Sequence, residues 1–237
     1  MCNIYSMVSN VEAIRALANV LNLSANAANL GDLPGIYANG FGPIVRNTAA
    51  GRELAMSRWG MPSNPDNLVG KKYDNGVQNV RHHWIDHWSP YLGVDNRCVV
   101  PWTSFSEPDQ ANATGVFHWF ALDQERPLAF FGGLWTPKWT SVRKVKDGET
   151  TDDLYAFFTT KPNEEVKAYH PKAMPVILRT PEEVDSWLTE PWDVLKKKLI
   201  KSLPDGTLKV VGRARKKDGP GMPFEGDTVQ EIQASLF

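Results

Sequence analysis

Apolar residues near the N-terminus recur at helical spacing. Val11, Ile14, Leu17, Ala18 and Leu21 share one face of residues 9–23, and Ser9 with Glu12 forms a capping box at the start. The periodicity then dissolves. Residues 24–52, rich in Asn, Gly and Pro, predict loop with short extended pieces. Residues 53–59 predict a strand stopped by Gly60-Met61-Pro62, and residues 63–78 a polar loop long enough to suggest a functional one. Residues 79–92 predict a helix that Pro90 breaks. Four strand-like runs rich in Phe, Val and Trp follow, at 97–106, 116–122, 128–135 and 154–160, with a charged hairpin or loop over 138–153. Asn163 predicts the cap of a short helix ending at His170-Pro171, and residues 174–178 predict another strand. Thr180-Pro181-Glu182-Glu183 opens a helix with a cap, a first-position proline and an acidic first turn. Pro191 opens a second, with Trp192, Leu195, Leu199 and Leu203 inward, and residues 208–211 close as a strand. Strands mixed with peripheral helices predict a single α+β domain built on a curled, largely antiparallel, barrel-like sheet.

At 237 residues, 42% hydrophobic and 22% charged, the chain suits one soluble domain with a good core. No apolar run reaches the length of a membrane span, and the N-terminus has no signal-peptide pattern, so a cytoplasmic monomer is expected. Two cysteines make no disulfide framework and fit a reducing compartment. A net charge of -1 argues against extended duplex binding but leaves room for a local groove, because steering depends on where charge lies. Nine tryptophans are more than a core of this size needs, and suggest that some serve stacking.

Cys2 carries the sharpest chemistry. Removal of Met1 gives Cys2 both an α-amine and a thiol. An α-amine has a pKa of about 7.7–8.0, so a useful fraction is nucleophilic near neutrality. An amine and a thiol on adjacent carbons condense with an aldehyde, first to a Schiff base and then to a five-membered thiazolidine. The matching electrophile in DNA is the ring-opened sugar of an abasic site.

Motifs in a fixed order extend this reading: Met1-Cys2-Asn3, Trp59-Gly60, Asn79-Val80-Arg81, Arg97-Cys98-Val99-Val100-Pro101, Phe105-Ser106-Glu107 and His170-Pro171-Lys172-Ala173-Met174-Pro175. The set, spanning roughly residues 1–212, resembles the SOS-response-associated peptidase family, whose members cross-link to abasic sites. The resemblance implies that Cys2 is the covalent nucleophile and that Glu107 assists sugar ring opening and proton transfer. It implies that His170 stabilises or reverses the adduct and that Asn79 holds the Cys2 terminus and the lesion. Arg81 and Lys172 would grip backbone phosphates, and Trp59, Met61 and Pro62 would present apolar surface to flanking bases. No cofactor is implied. The partner would be single-stranded DNA carrying abasic sites, with the protein on the nucleoid when bound. Two rival readings stay open: a Cys2-dependent peptidase or amidase working with His170 and Glu107, and a non-covalent single-strand binding module.

The sequence departs from the common family pattern at Asn3-Ile4 and at His82-His83-Trp84. His83 and His87 stand four apart, but Trp84 occupies the place where a metalloprotease needs Glu, so no metal site is assigned. Cys98, in an apolar run, reads as a small buried residue. The domain is expected to span 1–217, with 218–237 a Gly/Pro-rich flexible tail. Its end, Gln233-Ala234-Ser235-Leu236-Phe237, resembles peptides that dock on the bacterial sliding clamp. Leu236 and Phe237 would fill an apolar pocket while Gln233 bonds at the rim. Deleting residues 233–237 is expected to abolish binding to purified clamp in a pull-down, and binding that survives the deletion removes the assignment.

Overall fold

Apolar runs too long for a one-sided sheet set the architecture. The computed structural model of the protein describes residues 2–225; the clamp-binding candidates Gln233, Leu236 and Phe237 lie outside them. The strands are β1 (Ile4–Met7), β2 (Asn22–Leu23), β3 (Leu33–Tyr37), β4 (Phe41–Thr48), β5 (Gly51–Trp59), β6 (Asn79–Val80), β7 (Arg97–Trp102), β8 (Ser104–Pro108), β9 (Phe117–Ala121), β10 (Ala129–Lys144), β11 (Gly148–Thr160), β12 (Met174–Pro175), β13 (Ile177–Leu178) and β14 (Lys209–Arg213). The helices are α1 (Val11–Ala18), α2 (Glu164–Lys167), α3 (Pro181–Thr189) and α4 (Trp192–Leu199).

β7 is buried at every position and β10 over its first half, as strands covered on both faces are. Strands β11, β10, β7, β4 and β5 pair in that order, and a parallel pairing of β5 with β11 closes them into a ring. Full closure removes the exposed edges that an open sheet would carry. The ring is filled by aromatic side chains. Tyr5 meets Trp59 edge-on at 5.2 Å, Trp59 stacks on Phe157 at 5.1 Å, and Trp102 stacks on Phe131 at 4.9 Å. A second sheet, β14-β9-β8-β1-β3, lies against the ring, and Thr103 is where the chain passes from β7 in one to β8 in the other. The single strand expected over 97–106 is therefore two strands in different sheets.

Other expectations change with tertiary contact. The N-terminal helix is only Val11–Ala18: Asn10, not Ser9, caps it by accepting from Ala13 N at 2.8 Å. Asn19, left-handed at φ 50, ends it, so Leu21 leaves the apolar face and is 61% exposed. β4, with Gly42 and Pro43 inside it, is an eight-residue strand within the 24–52 stretch, where the composition predicts loop with short extended pieces. A Cβ at Gly42 would overlap the hydroxyls of Tyr5 and Tyr155, so the glycine marks a close approach inside a strand. Residues 79–92 are not a helix. Asn79 and Val80 pair in parallel with Phe157 and Phe158, and Asp86–Tyr91 form 3-10 turns that accommodate Pro90. The charged stretch at 138–153 is a hairpin, formed by the continuation of β10 and β11. Asn163 and Thr180 cap α2 and α3 as expected.

The chain does not leave the domain at residue 217. Asp218 is fully buried. Its carboxylate accepts from Arg126 Nε at 2.8 Å, from Ser104 Oγ at 2.5 Å and from Arg215, and its carbonyl accepts from Ser6 Oγ at 2.7 Å. Ser6 lies in β1 and Ser104 in β8, so Asp218 clasps two neighbouring strands. Substituting Asp218→Ala leaves Arg126 buried without its counter-charge, and is expected to lower the unfolding free energy in urea by about 3–5 kcal/mol. Loss of less than about 1 kcal/mol, the value of a surface pair, would remove the clasp.

Candidate active site at the start of β1

β1 runs antiparallel to β8 with Ile4 opposite Ser106, and this register carries Cys2 to the end of β8 that bears Glu107. Cys2 is fully buried, and its Sγ donates to Ile4 O at 3.3 Å. Burial, and then the charge of Glu107, push the Cys2 thiol up from its ordinary value. Asn79 enters from the ring: its parallel pairing with Phe157 aims the carboxamide so that Nδ2 donates to Cys2 O at 3.0 Å.

Glu107 and His170 are both fully buried, with His170 Nε2 3.7 Å from Glu107 Oε2. His170 is fixed by the end of α2, where its N–H donates to Val166 O at 2.7 Å. Burial pushes the Glu107 carboxyl up to about 8. Burial, with Lys172 and Arg81 nearby, pushes His170 down to about 4. At neutral pH the pair is therefore a mostly protonated acid beside a neutral imidazole, an arrangement suited to moving a proton. Arg81 follows β6 and donates from Nη1 to Thr160 O at 3.2 Å; Lys172 is exposed.

Two clefts flank the segment 78–81. One, of about 700 Å³, is lined by Asn3, Asn39, Tyr73, Asn75 and Gln78 with Arg143 and Lys144. The other, of about 170 Å³, is lined by Arg81, His83, Trp84, Thr160 and Lys161. Asn79 stands between them in sequence, with Gln78 lining the first and Arg81 the second, and Asn3, next to Cys2, lines the first.

The profile of the SOS response associated peptidase family matches residues 1–213. The chain belongs to this family. Solved structures that share its fold include three from two bacteria. A protein from Bacteroides thetaiotaomicron has a TM-score of 0.67 at 20% identity, covering 94% of this chain and 97% of the other. A protein from Bordetella bronchiseptica has a TM-score of 0.64 at 21% identity, covering 90% and 98%. A phage-related protein from the same organism has a TM-score of 0.62 at 19% identity, covering 88% and 92%. No curated protein matches the chain. Membership of the SOS response associated peptidase family links the protein to the DNA-damage response and implies DNA as its partner. No helix among the described residues is long and apolar enough to cross a membrane.

Of the residues that the sequence singled out in this family member, Cys2, Asn79, Glu107 and His170 come together. Arg81 and Lys172 lie near enough to His170 for their charge to act on it. Trp59, Met61 and Pro62 are a correction. All three are buried, so they offer no surface to a base. Trp59 instead works from behind the site: its Nε1 donates to Gln78 O at 2.9 Å, and Met61 bridges Val77, which together hold the strand that delivers Asn79. An exposed aromatic on the cleft that Arg81 lines is Trp84, 69% accessible and packed against the rings of His82 and His83. The signal was in the sequence, a Trp inside a polar stretch just after Asn79-Val80-Arg81. His83 and His87 point to separate surroundings: His83 packs on Trp192 at 5.2 Å, while His87 Nε2 lies 3.0 Å from Pro62 O.

The weakened acidity of Glu107 has a stability consequence. The fold disfavours the carboxylate, so the contribution is whole below the ordinary value of 4.5 and is lost as pH rises through about 8. Glu107→Gln is therefore expected to melt above the wild type at alkaline pH, with the gap closing toward pH 5. Thermal melts across this range check it, and a gap that does not vary with pH would count against the assignment.

Proposed function

We propose that the protein shields abasic sites in single-stranded DNA by forming a covalent cross-link through Cys2 once Met1 is removed. The observation that carries this reading is the convergence of Cys2 with Asn79, Glu107 and His170 at one end of β1. Protonated Glu107 assists opening of the abasic sugar to its aldehyde. The Cys2 α-amine then attacks the aldehyde carbon, and loss of water gives a Schiff base. The Cys2 sulfur adds to the same carbon and closes the thiazolidine, while the thiol proton passes to the ring nitrogen. The overall change is aldehyde plus aminothiol to thiazolidine plus one water, with no oxidant or reductant.

Burial gives each step its partner. The thiol is held up as S–H, so closure needs a nearby proton acceptor, and neutral His170 or ionised Glu107 can serve. The carboxamide of Asn79 fixes the Cys2 carbonyl and so orients the reacting amine and sulfur on one carbon. Arg81 and Lys172 supply positive charge for the phosphates beside the lesion, and Trp84 supplies an exposed ring for stacking, worth about 1–3 kcal/mol per base. A few such contacts suffice for a short single strand, which reconciles DNA binding with a net charge of -1.

The same groups would serve a Cys2-dependent peptidase, and one experiment separates the two. Protein whose mass shows that Met1 is absent is incubated with an oligonucleotide carrying a single abasic site, then run on a denaturing gel. A shifted band that Cys2→Ala abolishes, and that Glu107→Gln forms about a hundredfold more slowly, is the expected result. No shifted band, together with turnover of an amide substrate, would decide for the peptidase.

A further inference from the structure

The two clefts beside Cys2 differ in chemistry. On the Arg81 side the lining is cationic, from Arg81 and Lys161, with an indole at its edge. On the other side it is rich in carboxamides: Asn3, Asn39, Asn75 and Gln78, with Tyr73 44% exposed. We propose that this carboxamide cleft receives the nucleobase next to the abasic site and reads its edge, favouring adenine.

Position supports the assignment. Asn3 follows Cys2 directly, and Gln78 directly precedes Asn79, which holds the Cys2 carbonyl, so the cleft opens one residue from the reacting group and one from its holder. A nucleotide neighbouring a lesion held at Cys2 reaches it without a long detour. Its volume of about 700 Å³ is ample for a purine.

Chemistry argues for a base rather than a phosphate. Carboxamides both donate and accept, whereas a phosphate needs donors alone. The guanidinium of Arg143 is already engaged, donating from Nη2 to Gly60 O at 2.9 Å and lying 3.8 Å from Asp74, which leaves exposed Lys144 as the one uncommitted cation among the described lining residues, against four carboxamides. The amides are partly committed in a matching sense. Asn39 donates from Nδ2 to Arg143 O at 3.4 Å, and its buried Oδ1 has no partner among the described residues. Gln78 donates from Nε2 to Asn75 O at 2.9 Å. Gln78 keeps one N–H and its carbonyl oxygen for a ligand, and Asn39 keeps one N–H beside its buried oxygen. That donor–acceptor pair is what Asn and Gln present to adenine, and the Tyr73 ring gives an unstacked base a face to lie on.

Asn39 is held in place independently. It is left-handed at φ 62, with its N–H donating to Trp59 O at 2.8 Å. Asn39→Gly therefore removes the amide while tolerating the backbone.

The inference rests on the proposed DNA site, but its test does not need the covalent step. Full-length Cys2→Ala is titrated by fluorescence anisotropy with short oligonucleotides carrying a stable abasic analogue and A, G, C or T on either side. The expected result is binding about tenfold tighter with adenine than with a pyrimidine on one side, the discrimination of one bidentate pair, collapsing to about twofold or less when Asn39→Gly or Gln78→Ala is added. Equal affinity for all contexts, no binding of any, or a preference that both variants retain would overturn it. Wild-type protein on natural abasic oligonucleotides reports the cross-link separately. Its failure there would remove the covalent reading while a context preference in the Cys2→Ala titration still stood.

Discussion

The pairing of β1 with β8 is the contact on which the site depends. One register, with Ile4 opposite Ser106, brings the chain's second residue beside a buried carboxyl more than a hundred positions away. Side-chain direction alternates along a strand, so a slip of one residue would turn Glu107 away from the site. The molecule guards this register twice. Tyr5 is locked among Trp59, Phe131 and Phe157 inside the ring, with its hydroxyl 2.6 Å from that of Tyr155. On the opposite face Asp218 ties Ser6 to Ser104. An N-terminal segment would ordinarily fray; here aromatic packing and a buried ion pair hold it.

The same burial tunes the chemistry. Excluding water raises the Glu107 carboxyl and the Cys2 thiol and lowers the His170 imidazole, each because the charged form loses solvation. The result is a set of groups that stay neutral together near pH 7 yet can exchange protons over short distances. A dry site costs stability, and the closed ring of five strands, with its continuous aromatic filling, supplies the rigidity that tolerates that cost.

The polar groups that face the clefts sit on the segments that flank the ring. The segment from Gln78 to Arg81 carries an amide toward one cleft, an amide toward Cys2 and a guanidinium toward the other. Trp59 and Met61 hold this segment from inside. Core aromatics and exposed aromatics thus divide the work: Trp59 sets geometry, and Trp84 offers surface.

What the sequence determined by itself was local. The α+β class and the caps at Asn163 and Thr180 were legible, and ordered motifs singled out Cys2, Asn79, Glu107 and His170, because capping, alternation and motifs are written in neighbouring residues. What only the tertiary structure decided were features set by distant contacts. Asn79-Val80 became a strand because β11 offered it a partner, and β4 formed across Gly42 because two tyrosine hydroxyls needed the space. Trp59 went into the core rather than onto the surface, because closing the ring of strands left an interior only large rings could fill. Asp218 joined the domain because buried Arg126 and half-buried Arg215 required a counter-charge. Composition says which residues can be buried; only the closed topology says which ones are.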